Sequence, residues 1–183
     1  MGRYTVQFSC HQCVHCCTNL VVLPTPQDVI NITKATGLPP RQFLEFLAPE
    51  EIDEVAASDP TWLRCNGRRY IMALKRDTRR GCHFLDKRKK MCKIYEHRPI
   101  LCQLFPYKLQ ETRNGEFRGF TLHKDTGCPL HRDGVAETAP LYEAYLEDQE
   151  HQDDYQELVR VFNQKRYADK RPEDFLAMFV TEK

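Results

Sequence analysis

The sequence predicts an α+β fold: a small, irregular, cysteine-rich region with short strands, helices around it, and a helical C-terminal part. Three observations predict it. All nine cysteines fall between Cys10 and Cys128. The same region carries hairpin signals rather than long periodic runs. From Val135 onward cysteines stop and helix formers take over. The natural partition is therefore residues 1–134 as a cysteine-cluster domain and 135–183 as a helical extension packed on it.

Each element follows from local chemistry. Leu20 to Leu23 is a short apolar run and reads as a buried strand. Thr25, Pro26 and Asp28 open a helix, with Thr25 as N-cap and Pro26 at the first helical position, and Gly37 stops it. Pro39-Pro40 opens a second short helix carrying Phe43, Leu44, Phe46 and Leu47. Trp62 to Cys65 and Tyr70 to Leu74 flank Asn66-Gly67, a strong two-residue hairpin signal. Cys82 to Asp86 and Met91 to Tyr95 flank the basic stretch Lys87 to Lys90, which reads as another turn. Ile94 to Cys102 reads as one short helix, with Pro99 best placed near its start. Phe117 to His123 is a further strand after Asn114-Gly115. Leu141, Tyr145, Tyr155, Leu158, Val159 and Phe162 give helical apolar spacing, and Pro172-Glu173-Asp174 starts a last helix.

Composition excludes several classes. With 183 residues, 41% hydrophobic and 29% charged, the chain has a normal globular balance, and a net charge of +1 gives no global pull toward nucleic acid. No apolar run approaches the ~18 residues of a spanning helix, so no membrane is expected. The stretch MGRYTVQFSC shows no leader pattern, and position 6 lacks the hydroxyl of a myristoylation motif. A cytoplasmic location is the expectation, and there nine thiols, an odd number, point to metal ligation rather than disulfides. Residues 68–93 hold eleven Lys or Arg against Asp77 and Asp86. Aromatic residues are sparse there, so a solvated hairpin is the expected reading and nucleic acid is not expected as a partner. The acidic stretch Glu143 to Glu157 could face and cancel that patch.

Cys10-x2-Cys13-x2-Cys16-Cys17 carries the chemistry. A C-x2-C step lets two thiolates converge on one metal, as in zinc knuckles and iron–sulfur loops. Cys10, Cys13 and Cys16 have the local form of a ferredoxin run, and Cys128-Pro129 has the form of its remote fourth ligand. Adjacent side chains diverge, which leaves Cys17 for a second centre or spare. Two allocations stay open. One has two centres, from Cys10, Cys13, Cys16 and Cys128 and from Cys17, Cys82, Cys92 and Cys102. The other has a single four-cysteine centre, the remaining thiols being buried as small hydrophobes. Cys65, alone in a hairpin, reads as structural. His11, His15 and His83 lie beside cysteines and read as neighbours that orient the site rather than as ligands. Arg98 is a candidate cofactor-binding residue, since guanidinium takes carboxylate or phosphate bidentately, although it could equally pair with Glu96 or with an acid elsewhere in the chain. Tyr95 and Tyr107 read as core.

Taken in order, CxxCxxCC, then Gly81-Cys82-His83-Phe84-Leu85, Cys92-Lys93-Ile94-Tyr95 and Arg98-Pro99-Ile100-Leu101-Cys102-Gln103-Leu104-Phe105-Pro106, resemble the YkgJ-like cysteine-cluster family over about residues 8–130. Gln103 departs from the pattern, where arginine is common. The resemblance implies a zinc- or iron-chelating domain. The family includes flagellin lysine-N-methylase, so it further implies a [4Fe-4S] cluster as cofactor, with S-adenosylmethionine and a protein substrate or partner. Electron transfer is the other use such a cluster would serve. No GxGxxG-type loop is present for a methyl donor. The alternative is a zinc-stabilised, non-catalytic interaction module.

Overall fold

The computed structural model describes residues 5–77, 81–124 and 126–180. The first four residues of the stretch read for a leader, and Arg79 and Arg80 of the basic stretch, lie outside them.

The chain opens with strand β1, Thr5–Gln7, then a loop through Cys10 and Cys13 into a one-turn helix α1, His15–Asn19. Helix α2 spans Pro26–Thr36. The Thr25 hydroxyl accepts the Asp28 N–H at 3.2 Å, and Asp28 Oδ2 accepts the Thr25 N–H at 2.9 Å, a reciprocal cap. Gly37, left-handed at φ 70°, ends the helix. Both signals are legible in the sequence.

Two apolar stretches take other conformations than expected. Leu20 to Leu23 belongs to no helix or sheet; the Val22 carbonyl takes one bond from the Leu74 N–H at 2.9 Å. Pro40–Phe43 forms the expected turn of helix, α3, but Leu44–Leu47 leaves it as strand β2. There Leu44 to Leu47 pair with Leu74 to Ile71, and that long-range ladder outweighs a weak local helix preference.

The Asn66-Gly67 hairpin is present as β3, Leu63–Cys65, and β4, Arg68–Leu74. Strand β4 lies central in a three-stranded antiparallel sheet, order β2-β4-β3. Two small hairpins follow: β5, Arg76–Asp77, with β6, Gly81–Cys82, and β7, Leu85–Asp86, with β8, Met91–Cys92. Asp86 Oδ1 accepts the Arg88 and Lys89 N–H groups and caps the basic turn. The predicted Ile94-to-Cys102 helix is split. A 3-10 turn covers Tyr95–His97, and helix α4 starts only after Pro99, at Ile100–Leu104. Proline has no N–H and restricts the residue before it, so the helix begins behind it.

Strands β9, Tyr107–Glu111, and β10, Phe117–Leu122, form a bulged hairpin. Val135–Glu137, expected to open the helical part, is instead strand β11, antiparallel to β1. Helix α5 then runs Thr138–Gln164, and Pro172–Met178 is a 3-10 helix. The architecture is α+β. The main core joins α2, the three-stranded sheet, α5 and the C-terminal turn through Val29, Ile32, Phe43, Leu63, Val159, Phe162 and Phe175, all at most 1% exposed. A second core, Val6, Phe8 and Phe120, packs against the N-terminal half of α5. Among the described residues no helix is long and apolar enough to cross a membrane.

Candidate metal centre

The cysteine loop is held in shape from both ends. Gln12 (φ 51°) and Val14 (φ 57°) are left-handed, a costly conformation for a β-branched residue. The Ser9 N–H donates to the His131 carbonyl at 2.9 Å. His11 Nε2 meets the Asp133 carboxylate at 3.0 Å, and its ring stacks on His131 at 3.9 Å. His15 Nε2 donates to the Thr126 carbonyl at 3.1 Å, while Asn19 donates to Nδ1 at 3.2 Å. His11 and His15 are thus spent on tying the loop to the segment that carries Cys128. His83 packs edge-on to Phe84 and does not line the site.

Close backbone approach supplies the other wall. Gly81 has φ +79°, and a Cβ there would stand 2.6 Å from the Cys17 carbonyl oxygen. Only glycine lets β6 lie against α1 with Cys82 beside Cys17. Helix α4 brings Cys102, and Asp28 Oδ1 accepts the Ile100 N–H at its start, 3.2 Å away.

These constraints converge on one cavity of about 530 Å³. Cys10, Cys13, Cys16, Cys17, Cys82, Cys92, Cys102 and Cys128 all line it. Cys65 does not; it lies 3% exposed in the main core. Apolar side chains including Phe8, Val22, Leu74 and Ile94 line it as well. Tyr95, Arg98, Gln103 and Tyr107 complete the wall. The two tyrosines, read from sequence as core, therefore face the site, and nothing in their spacing signals it. Among the described residues, no three His, Cys, Asp or Glu side chains are drawn together tightly enough to hold a single ion. The thiols ring a space rather than a point.

Electrostatics divide the ring. Burial pushes the Cys82 and Cys92 thiols up, and the charges of Cys92 and Cys16 add to the rise at Cys82. Burial also pushes Cys102 far up, reinforced by Cys82, Cys16 and Cys92. Cys128 is raised by burial and then by Cys13, Cys10 and Cys16. The Cys17 thiol donates to the Cys16 sulfur 4.0 Å away, which lowers Cys16 to about 6 and holds the proton on Cys17. One group of neighbours is thus Cys10, Cys13 and Cys128, the other Cys17, Cys82, Cys92 and Cys102, with Cys16 between them. The raised thiols, Cys17, Cys82, Cys92, Cys102 and Cys128, keep their protons until a cation replaces them, and the thiolate is the ligating form. An all-sulfur, soft donor set fits zinc or iron–sulfur chemistry.

The family model described as "Putative zinc- or iron-chelating domain", named for the CxxCxxCC motif, matches residues 9–129. The chain belongs to this family. Within the CxxCxxCC family, metal binding is the function that the description supports. The uncharacterized protein MJ0661 of Methanocaldococcus jannaschii is 34% identical over 111 residues, 61% of this chain and 50% of the relative. The chain thus spans about half the length of the curated relative it matches. No solved structure matches.

Proposed function

We propose that the thiol cavity holds an iron–sulfur group, with at least one [4Fe-4S] cluster, and that the protein uses it in electron transfer or in methyl transfer to a protein lysine. One observation carries the reading: eight thiols surround a single cavity of about 530 Å³ without converging on a point. A lone tetrahedral zinc is enclosed by Zn–S bonds of about 2.3 Å and leaves no such space. A polynuclear group bridges thiols that stand apart. Its net negative charge also suits a wall whose charged side chain is Arg98. When bound, the cluster would supply one-electron chemistry or a site for S-adenosylmethionine. The chain's own residues would contribute the thiolates, the apolar packing that excludes water, and a polar edge of Tyr95, Gln103 and Tyr107.

A second reading, a zinc-stabilised interaction module, is favoured by the grouping of the thiols. Cys82 and Cys92 act on both Cys17 and Cys102, Cys10 and Cys13 act on Cys128, and Cys16, which acts on both groups, would complete a second set of four. Two four-thiolate zinc sites would use the same residues.

Purification without oxygen, followed by iron, sulfide and zinc assays and a visible spectrum, separates the readings. Iron with matching inorganic sulfide and a brown, broadly absorbing protein supports the cluster. A colourless protein with stoichiometric zinc and no sulfide rejects it. Aerobic samples do not serve, because oxygen-damaged iron sites take up zinc.

A further inference from the structure

Arg98 is half-buried and lines the thiol cavity. Its Nη1 donates to the Tyr95 carbonyl at 2.6 Å, and its guanidinium carbon stands 3.9 Å from the centre of the Tyr95 ring. The Gln103 amide donates to the Arg98 carbonyl at 3.0 Å. These contacts fix the side chain in one place. They use one of its five donors, and the ring face engages its charge without neutralising it. Among the described residues no carboxylate forms an ion pair with it, Glu96 included. An unpaired cation held at the wall of an apolar cavity is unfavourable unless something anionic faces it.

Asp28, Glu96 and Glu147 line the open cleft on which Arg98 also borders, and among the described residues none of them forms an ion pair with it, whereas the enclosed cavity on which it borders is lined by thiols. Arg98 and all eight of these thiols line the same cavity of about 530 Å³, so the guanidinium and the sulfurs share one enclosed space. Eight thiolates around iron or zinc leave a net negative centre. Among the described residues, Arg98 is the only Lys or Arg on the cavity wall, and both nitrogens of His15 there are taken up by Thr126 and Asn19. We propose that Arg98 is the charge-compensating residue of the thiol centre, stabilising its thiolates through space rather than ligating the metal or binding a substrate carboxylate. This rests on the thiol cavity being the metal site but not on which metal fills it.

The test uses the full-length protein with Arg98→Met, Arg98→Gln and Arg98→Lys. Gln keeps a donor for the Tyr95 carbonyl while losing the charge, and Lys keeps the charge. Cobalt(II) is the first probe, titrated anaerobically in competition with a chelator and read by its sulfur-to-metal absorption. Arg98→Met and Arg98→Gln should bind cobalt about 10–100-fold more weakly, as groups that support metal ligands typically do when removed. Arg98→Lys should retain most of the affinity. Equal losses in all three variants would show a purely structural role, and parental affinity in Arg98→Gln would show no role; either overturns the proposal. Should Arg98→Met fail to fold, judged by far-UV circular dichroism, Arg98→Gln decides. In protein carrying a cluster, the neutral variants should also shift the midpoint potential to more negative values, because a lost cation penalises the added electron. An unchanged potential counts against charge compensation. A colourless, zinc-only protein leaves the cobalt arm intact, so failure of the iron–sulfur reading is told apart from failure of this one.

Discussion

The Asp28 carboxylate on α2 accepts the N–H of Ile100, 3.2 Å away, at the first residue of α4. The same side chain closes the cap of its own helix through Thr25. One buried carboxylate, 4% exposed, therefore joins the start of α2 to the start of the helix that carries Cys102. Replacing it with Ala strands three donors. The expected cost is about 3 kcal/mol, from the lost cap and the unsatisfied buried groups. Thermal unfolding should fall by roughly 6–12 °C for a chain of this size. Metal content should fall with it, since Cys102 loses its anchor.

The ninth cysteine supplies an internal control. Cys65 sits in the main core with burial pushing its thiol up, whereas Cys102 faces the cavity. Cys65→Ala should lose about 1 kcal/mol of stability, as for a small core deletion, and keep its full metal complement. Cys102→Ala should lose metal. Elemental analysis of the two variants, purified side by side, checks the contrast. Loss of metal in Cys65→Ala would contradict the division of thiols.

Gly81 sets the approach of β6 to α1. Its φ is +79°, and any Cβ at this position would stand 2.6 Å from the Cys17 carbonyl oxygen, so there is no room for a side chain. Gly81→Ala should destabilise the protein by about 1–3 kcal/mol. It should also weaken metal binding by separating Cys17 from Cys82. Chelator competition on the folded variant reads the second effect, and parental affinity would show that the two thiols need not be held together.

Asp148 on α5 is 5% exposed, with Oδ1 lacking a partner among the described residues. Burial pushes its carboxyl up, and the charge of Asp28 adds to the rise. The folded state then holds this proton to higher pH than the unfolded chain does. Stability from this group is accordingly greatest below the unfolded carboxylate value of about 3.9 and declines as pH rises through the folded value. Asp148→Asn should be more stable than the parent at pH 7, and the advantage should shrink toward pH 4. Urea unfolding at both pH values tests the sign; a less stable variant at pH 7 would contradict it.

Much of the fold is legible in local chemistry. The Thr25-Pro26-Asp28 start, the Gly37 stop and the Asn66-Gly67 turn each act within a few residues, and each stands where the sequence predicts it. The departures share a cause. Leu44 to Leu47 and Val135 to Glu137 become strands because of partners far along the chain, β4 and β1. Leu20 to Leu23 is apolar because it borders the thiol cavity and the smaller core around Trp62, not because it joins a sheet. At the site, the eight thiols are readable from spacing and resemblance, and the hairpin position of Cys65 sets it apart. Tyr95, Tyr107 and the second bond of Asp28 are not, since only the folded chain turns them toward the cavity or toward Ile100.

Native mass spectrometry of protein purified without oxygen tests the iron–sulfur centre most directly, because it weighs the intact group on the folded chain. The expected result is a mass increment of iron together with inorganic sulfide, kept whole in Cys65→Ala and diminished or lost in Cys102→Ala. An increment of zinc alone, or an iron–sulfur increment that survives in Cys102→Ala but not in Cys65→Ala, would contradict it.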